Sequence, residues 1–366
     1  MVAMEKKIAV QIIRKYLKKG NMARCLRDIL PSAGLSKDQR QQIADIVHTV
    51  VRWRRLYEHI IDSRGLSPAA ETYLQLALDG AQSDAVSYPF EYRYSCSSYV
   101  AGILKDHAEW AEILNETPPT TLCINFNRTT STELIALLQQ ESLPMEQGIL
   151  PTALHTTSVS KYSKVIQHRY AHVQDESSQL VSHIAVFLGD SIYDMCAGNG
   201  GKSLAMASMV KNGKNMHAYE KNDEKRRTLK RRCDEYDASV IVENHPSDAS
   251  FDVVLVDAPC SGLGAARRNP EAKYVDGVGM YPQTQMTLLR QAAQNLKPKG
   301  HLIYAVCTIT PEETEQVIHN FMQQTGFTLV PYENVLYGKY LQRNDFGLFL
   351  RVSRGDLFFL SVLRKT

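Results

Sequence analysis

The stretch Asp190-Ser-Ile-Tyr-Asp-Met-Cys-Ala-Gly-Asn-Gly-Gly-Lys-Ser203 decides the fold. Residues 190–196 read as a strand. Gly198, Gly200 and Gly201 then break the chain, and the pattern from Lys202 to Lys211 reads as a helix. A strand, a glycine turn and a helix open a nucleotide-binding α/β unit, because glycine lets the backbone turn tightly and approach a ligand. A Walker A reading of Gly201-Lys202-Ser203 fails. That motif needs a glycine five residues before the Gly-Lys pair, and Cys196 stands there.

Strand and helix go on alternating outward from this turn. Asn215–Glu220 reads as a second strand ending in an acid, and Asp223–Tyr236 as a helix. Phe251–Asp257 and Gly300–Val306 are nearly continuous apolar runs, the mark of strands buried on both faces, with a helix over Met286–Leu296 between them. The alternation predicts a doubly wound parallel sheet. Glu220 follows the glycine turn by about 20 residues, the spacing at which an acid binds both hydroxyls of a ribose. Turn and acid together point to an adenosine-containing cofactor.

Two further segments place reactive groups at the carboxyl ends of buried strands, where ligands bind in such sheets. Asp257-Ala-Pro-Cys-Ser-Gly-Leu-Gly264 delivers an acid and a thiol together, which is poor material for a core. Tyr304-Ala-Val-Cys-Thr308 delivers a second thiol, and Pro311-Glu-Glu-Thr-Glu315 opens the helix after it. A lone cysteine in an apolar run is usually packing. Two at neighbouring strand ends suggest nucleophilic chemistry.

The chain has 366 residues, enough for two or three domains, and ordinary globular composition at 44% hydrophobic and 22% charged. No apolar run is long enough for a membrane span, and the basic N-terminus lacks the apolar stretch of a secretory signal. The seven cysteines are odd in number and never form Cys-x-x-Cys. That argues against a disulfide framework and a zinc site, and for a reducing, cytoplasmic setting. The net charge of +3 is unevenly spread. Residues 1–60 hold 13 Lys/Arg against five acids, +8, which leaves −5 for the rest. A basic end on a slightly acidic body suits a polyanionic partner, against the plainer reading of a solvated helix surface.

Residues 1–75 read as a helical bundle: Ile8, Ile12, Ile13, Tyr16 and Ile43, Ile46, Val47, Val50 recur at helical spacing, and Ser36 with Gln39 resembles a capping box. Residues 76–170 read as a small α/β bridging region with a strand at Thr121–Asn127 and a helix from Ser131 to Gln140. Residues 171–366 form the doubly wound domain. Tyr88–Tyr94 reads as packing rather than base stacking, and the basic run Lys225–Arg232 as a solvated helix face rather than a binding site.

The motifs, taken in order, resemble the Sun (RsmB-type) family of RNA cytosine-5 methyltransferases. That family carries Asp-x-Cys-Ala-Ala-Pro-Gly-Gly-Lys-Thr at the cofactor turn, Asp-Ala-Pro-Cys-Ser-Gly-x-Gly followed by Arg-Arg-x-Pro-Asp, and Thr-Cys-Ser/Thr followed by Pro-Glu-Glu-Asn-Glu. Here the second motif is intact and Arg267-Arg-Asn-Pro-Glu271 follows it. Val173-Gln-Asp-Glu-Ser-Ser-Gln179 resembles the family's lead-in, and Asp356-Leu-Phe-Phe-Leu-Ser361 its closing strand. The likeness is strong over 171–366. It is weaker at the front, where Asp38-Gln-Arg40 and Val50-Val-Arg-Trp53 resemble a NusB-like RNA-binding domain and Pro118–Asn125 a family segment with Cys123 in place of Arg. Gly198-Asn199 replaces Ala-Pro, Thr314 replaces Asn, and the third sheet strand near Val240–Asn244 lacks the usual Asp, so that Asn244 or Glu243 stands in.

The resemblance implies a Rossmann-like methyltransferase sheet that binds S-adenosyl-L-methionine through Cys196, Ala197, Gly198, Asn199, Gly200, Gly201, Lys202, Glu220, Asn244 and Asp257. It makes Cys307 the nucleophile that adds to carbon 6 of cytosine, activating carbon 5, and Cys260 the residue that assists release. Asp257 binds the pyrimidine edge, supported by Lys202, and Arg267 and Arg268 bind phosphate. The implied partner is RNA, ribosomal by preference and transfer RNA as the alternative, with no metal, no membrane and a monomeric protein. A competing reading is an RNA-binding ribosome assembly factor with a decayed cofactor site, motivated by Gly198-Asn199 and the missing acid.

Overall fold

The computed structural model describes residues 1–157, 159–160, 162–210, 215–331, 338–350 and 354–365. The chain forms two compact units, residues 1–117 with 265–277, and residues 118–264 with 278–366.

The first unit is helical: α1 (Ala3–Lys19), α2 (Met22–Ile29), α3 (Lys37–Arg52), α4 (Arg54–Ser63), α5 (Ala70–Leu78), α6 (Phe90–Arg93), α7 (Ser98–Leu104) and α8 (Ala108–Asn115). The apolar spacing in α1 buries Ala9, Ile12, Ile13 and Tyr16, and Gly20 ends the helix at φ 67° with its N–H on Tyr16 O. Ser36 and Gln39 form the expected capping box at the start of α3. Ile12, Ile43, Val47, Val50, Tyr57 and Leu74 share one core. Each such side chain contributes about 1.5–3 kcal/mol by burial. Tyr88 and Tyr92 pack against that core, and Tyr94 is buried.

The structure corrects the expected boundaries of this unit. Helix does not stop near 75 but runs to Asn115, in pieces of four to eight residues beyond α5 that are too short to show a clear period. Residues 265–277, expected in the last domain, belong here. Lys273 is their tether: its buried ammonium donates to Arg52 O at 2.9 Å, Tyr94 O at 3.0 Å and Asn115 Oδ1 at 2.5 Å. Burial pulls its pKa down to about 7. Tyr274 donates to Val51 O at 2.5 Å, and Ser97 to Val275 O at 2.6 Å.

The second unit opens with β1 (Thr120–Ile124), α9 (Ser131–Gln140), β2 (Met145–Gln147), β3 (Ala153–Thr156), α10 (Lys164–Gln167) and β4 (Ala171–Val173). Its strands make a four-stranded antiparallel sheet in the order β2-β3-β1-β4. There follow α11 (Glu176–Leu188), β5 (Ser191–Asp194), α12 (Gly201–Met209), β6 (Asn215–Ala218), α13 (Asp223–Glu235), β7 (Ile241–Val242), β8 (Phe251–Asp257), α14 (Tyr281–Gln294), β9 (Leu296–Val306), α15 (Glu315–Gln324), β10 (Phe327–Leu329), β11 (Leu341–Asn344), β12 (Gly347–Leu350) and β13 (Phe358–Lys365). Lys211, the expected end of the helix after the glycine turn, lies outside the described residues.

The large sheet runs β11-β12-β13-β9-β8-β5-β6-β7, with β10 paired to β13. Strands β7 to β9 in this path are parallel, as expected. The far side is antiparallel, β13 against β9 and β12 against β13, so the sheet is mixed. From β5 the chain winds one way to β6 and β7, then crosses back to β8 and β9. The point where the winding reverses lies between β5 and β8, and an open α/β sheet gapes there to receive a ligand.

Candidate functional site

Strands β5 and β8 flank that switch point and end in Asp194 and Asp257. The turn after β5 is shaped by Gly198 (φ 57°) and Gly200 (φ 88°), both in the left-handed region that glycine occupies without strain. The Gly198 N–H donates to Glu220 Oε2 at 2.9 Å, and the Gly200 N–H to Ala197 O at 2.8 Å. These two amides are therefore already used. The turn meets a ligand through its close approach and its acids rather than through bare N–H groups at those positions. Ala197 is pinned to Tyr219 O at 3.0 Å, and the exposed Asn199 accepts at its carbonyl from Arg232 at 2.6 Å.

Glu220 stands just past β6, its second oxygen accepting the Asn222 N–H at 2.7 Å. Each oxygen keeps a lone pair for a hydroxyl. Asp194 is buried, accepts from Ser203 Oγ at 2.7 Å, and has one oxygen, Oδ1, without a hydrogen-bond partner among the described residues. Burial pushes its carboxyl up to about 7, with the Ser203 hydrogen bond offsetting part of the rise. An orphaned buried oxygen, an acid with free lone pairs and a close-approach turn form a donor set that fits a cationic, ribose-bearing cofactor.

Lys202, in the first turn of α12, donates from Nζ to Asp257 Oδ2 at 2.6 Å and lies 5.2 Å from the Phe358 ring centre. Burial opposes its charge, but the adjacent Asp257 carboxylate outweighs it and the lysine pKa is raised.

The two thiols named from sequence meet: Cys260 Sγ and Cys307 Sγ are 3.4 Å apart, both half-buried and free. Contact with Cys307 and burial push the Cys260 thiol well above its usual range. Gly264 holds the two carrier loops together, its N–H on Cys307 O and its carbonyl accepting from Leu357, each at 3.0 Å. A Cβ at Gly264 would stand 2.0 Å from Leu357 O, so only glycine fits. The lead-in and closing motifs also join: Asp175 accepts the Asp356 N–H at 3.0 Å, and Ser177 donates to Asp356 O at 2.7 Å.

Other residues named from sequence fall elsewhere. Cys196 is half-buried and burial raises its thiol. Asn244 is exposed and lines a shallow basic depression with Arg226, Arg227 and Lys230. Arg267 requires correction as a phosphate ligand. It is 1% exposed within the helical unit, its carbonyl accepts from Arg52 at 2.8 Å, and Glu116 lies 3.8 Å from its guanidinium. Arg268 is half-buried. Sequence reasoning missed Asp194, Phe358 and Glu313 as site residues. Glu313 lies in the quoted Pro311–Glu315 motif, but its spacing alone carries no sign of what it holds. Among the described residues no His, Cys, Asp or Glu group could hold a metal, and no helix is long and apolar enough to cross a membrane.

Residues 184–364 match the family model described as 16S rRNA methyltransferase RsmB/F. The probable ribosomal RNA small subunit methyltransferase B of Bacillus subtilis (strain 168) is 31% identical over 225 residues, 57% of this chain and 50% of that protein. The ribosomal RNA small subunit methyltransferase B of Vibrio cholerae is 28% identical over 282 residues, 72% of this chain and 64% of that protein. The chain thus spans between half and two thirds of these curated relatives. The crystal structure of PH0851 overlays with a TM-score of 0.81 at 20% identity, covering 100% of this chain and 99% of that one. NSun6 from Pyrococcus horikoshii with SFG gives 0.65 at 15% identity, covering 74% of this chain and 98% of that one. At these identities the overlays establish the fold.

Proposed function

The chain belongs, through residues 184–364, to the 16S rRNA methyltransferase RsmB/F family, and from that premise we propose that it is an S-adenosylmethionine-dependent RNA cytosine-5 methyltransferase acting on ribosomal RNA. The observation that carries this reading is the 3.4 Å approach of Cys260 and Cys307, within electrostatic reach of the Lys202–Asp257 pair. The ribosomal substrate is taken from the names of the relatives, and transfer RNA is the alternative substrate.

S-adenosylmethionine, when bound, supplies an electrophilic methyl group. Glu220 would hold its ribose, the Gly198–Gly201 turn would lie against it, and Asp194 would balance its positive charge. Cys307 adds as thiolate to carbon 6 of a cytosine turned out of its stack, which breaks the ring's aromaticity and makes carbon 5 nucleophilic. Asp257, held by Lys202, binds the pyrimidine edge where charge develops in the adduct. Once carbon 5 is substituted, its proton passes to solvent water, and the 5,6 double bond re-forms as the bond between carbon 6 and the Cys307 sulfur breaks. The Cys260 thiol assists that release by donating to the departing sulfur from 3.4 Å away.

The test separates the thiols. Cys260→Ser is expected to accumulate a covalent protein–RNA adduct on a denaturing gel, and Cys307→Ala to give none. An adduct from Cys307→Ala would reverse the roles. Absence of S-adenosylmethionine binding by calorimetry would favour the non-catalytic assembly factor instead. Bisulfite sequencing of RNA from cells with and without the protein names the modified cytosine.

A further inference from the structure

Glu313 is fully buried, and its carboxylate gathers donors from three segments. Oε1 accepts from the Ser261 amide at 2.9 Å and from Gln285 Nε2 of α14 at 3.0 Å. Oε2 accepts from the Thr310 hydroxyl at 2.8 Å and from the Ser261 hydroxyl. A buried carboxylate is costly unless its hydrogen-bonding capacity is filled, and here neutral donors flanking the thiols fill it. Ser261 directly follows Cys260, and its hydroxyl also lies 2.9 Å from that of Thr308, which directly follows Cys307. Gln285 additionally donates to Pro259 O at 3.0 Å, and the Tyr304 hydroxyl holds the Glu313 carbonyl at 2.6 Å. The same side chain therefore ties Ser261, directly after Cys260, to Thr310, three residues after Cys307.

We propose that Glu313 is the positioning residue of the thiol pair: its carboxylate clamps the loop carrying Cys260 to the turn carrying Cys307 and sets a fixed negative charge beside Cys260. The consequence for catalysis rests on the two-thiol methyltransferase reading, whereas the clamp itself can be read from the thiols directly. The charge disfavours the Cys260 thiolate. Cys260 is kept protonated chiefly by its contact with Cys307 and by burial, and the Glu313 charge adds to both, which separates the duties of two otherwise equivalent groups.

The experiment uses the full chain and dibromobimane, a reagent that becomes fluorescent when it bridges two nearby thiols, with peptide mass spectrometry to confirm the Cys260–Cys307 bridge. Glu313→Ala is expected to slow bridging about tenfold, the scale of a small misplacement of reacting groups. Glu313→Gln keeps the shape and most hydrogen bonds but removes the charge. It is expected to bridge no more slowly than the unsubstituted protein, while the pH midpoint for iodoacetamide alkylation of Cys260 moves down. A merely structural role would lower the melting temperature without moving that midpoint. Should Glu313→Ala fail to fold, Thr310→Val combined with Gln285→Leu loosens the same clamp and is expected to slow bridging in the same direction. Unchanged bridging in the loosened variants, or an unmoved Cys260 midpoint in Glu313→Gln, overturns the proposal. If bridging responds as expected but the unsubstituted protein transfers no methyl group to RNA, the clamp stands and the methyltransferase reading falls.

Discussion

Lys202 and Asp257 form an ion pair of 2.6 Å in which the lysine side chain is 9% exposed and the aspartate 31%. The lysine enters from the start of α12 and the acid from the end of β8, so the pair bridges the switch point of the sheet. Its role in the proposed reaction is to hold Asp257 in place. Lys202→Met removes the charge and keeps most of the apolar stem against Phe358. We expect methyl transfer to fall about a hundredfold, on the scale of losing one preorganised electrostatic contact. The stability loss is expected to be small, on the order of 1–2 kcal/mol, because Asp257 is partly solvated. Single-turnover assays and urea unfolding measure the two. An unchanged rate would make the pair purely structural.

Asp194 predicts a pH dependence. Its carboxyl titrates near 7 in the fold against an ordinary value of 3.8, chiefly through burial. Across that window the folded protein keeps a proton the unfolded chain has lost, so this group's contribution to stability falls as pH rises and levels off above about 7. Asp194→Asn removes the titration. The difference in unfolding free energy between variant and parent should therefore shift in the variant's favour from pH 5 to pH 8, as read by urea denaturation. A pH-independent difference would mean that the buried carboxyl titrates at its ordinary value.

Much of the site was legible because its groups ride on strand ends. Asp257 and Cys307 follow nearly continuous apolar runs that read as buried strands, and a parallel sheet carries such ends to one edge. Glu220 was legible from its spacing of about 20 residues after the glycine turn. The misreading of Arg267 has a physical source. A basic doublet after a reactive loop looks like a phosphate site, but residues 265–277 fold into the helical unit and bury that arginine. No local pattern marks a segment whose partners lie 158 to 221 positions away, as those of Lys273 do. The antiparallel half of the sheet was also hidden, since strands buried on both faces look alike in either direction.

Glu220 gives a prediction about cofactor affinity. Its two oxygens hold the Gly198 and Asn222 amides at 2.9 and 2.7 Å, so it both shapes the turn and presents acceptors to a ribose. Glu220→Gln turns one acceptor into a donor facing a backbone N–H. Hydrogen bonds to a charged group contribute roughly 1.5–3 kcal/mol, so S-adenosylmethionine affinity should drop about tenfold to a hundredfold. Calorimetry reads this directly, and dibromobimane bridging of the thiols should be untouched. Unaltered affinity would move the ribose contact to another residue.

Gly264 and Gly262 form a matched pair for a packing test. A Cβ at Gly264 would stand 2.0 Å from Leu357 O and 3.1 Å from Cys307 O, both backbone atoms of segments that cannot yield separately. A Cβ at Gly262 would meet nothing within 4 Å, although φ there is +75°. Gly262→Ala should therefore cost only the left-handed strain, about 1–2 kcal/mol. Gly264→Ala should cost roughly 2–3 kcal/mol or more and force the Cys260 loop away from Cys307. Thermal melting gives the stability order, and methyl transfer at saturating cofactor should fall far more for Gly264→Ala while cofactor affinity stays near the parent value. Equal activity in the two variants would show that the 3.0 Å contacts joining Gly264 to Cys307 and Leu357 do not govern the spacing of the thiols.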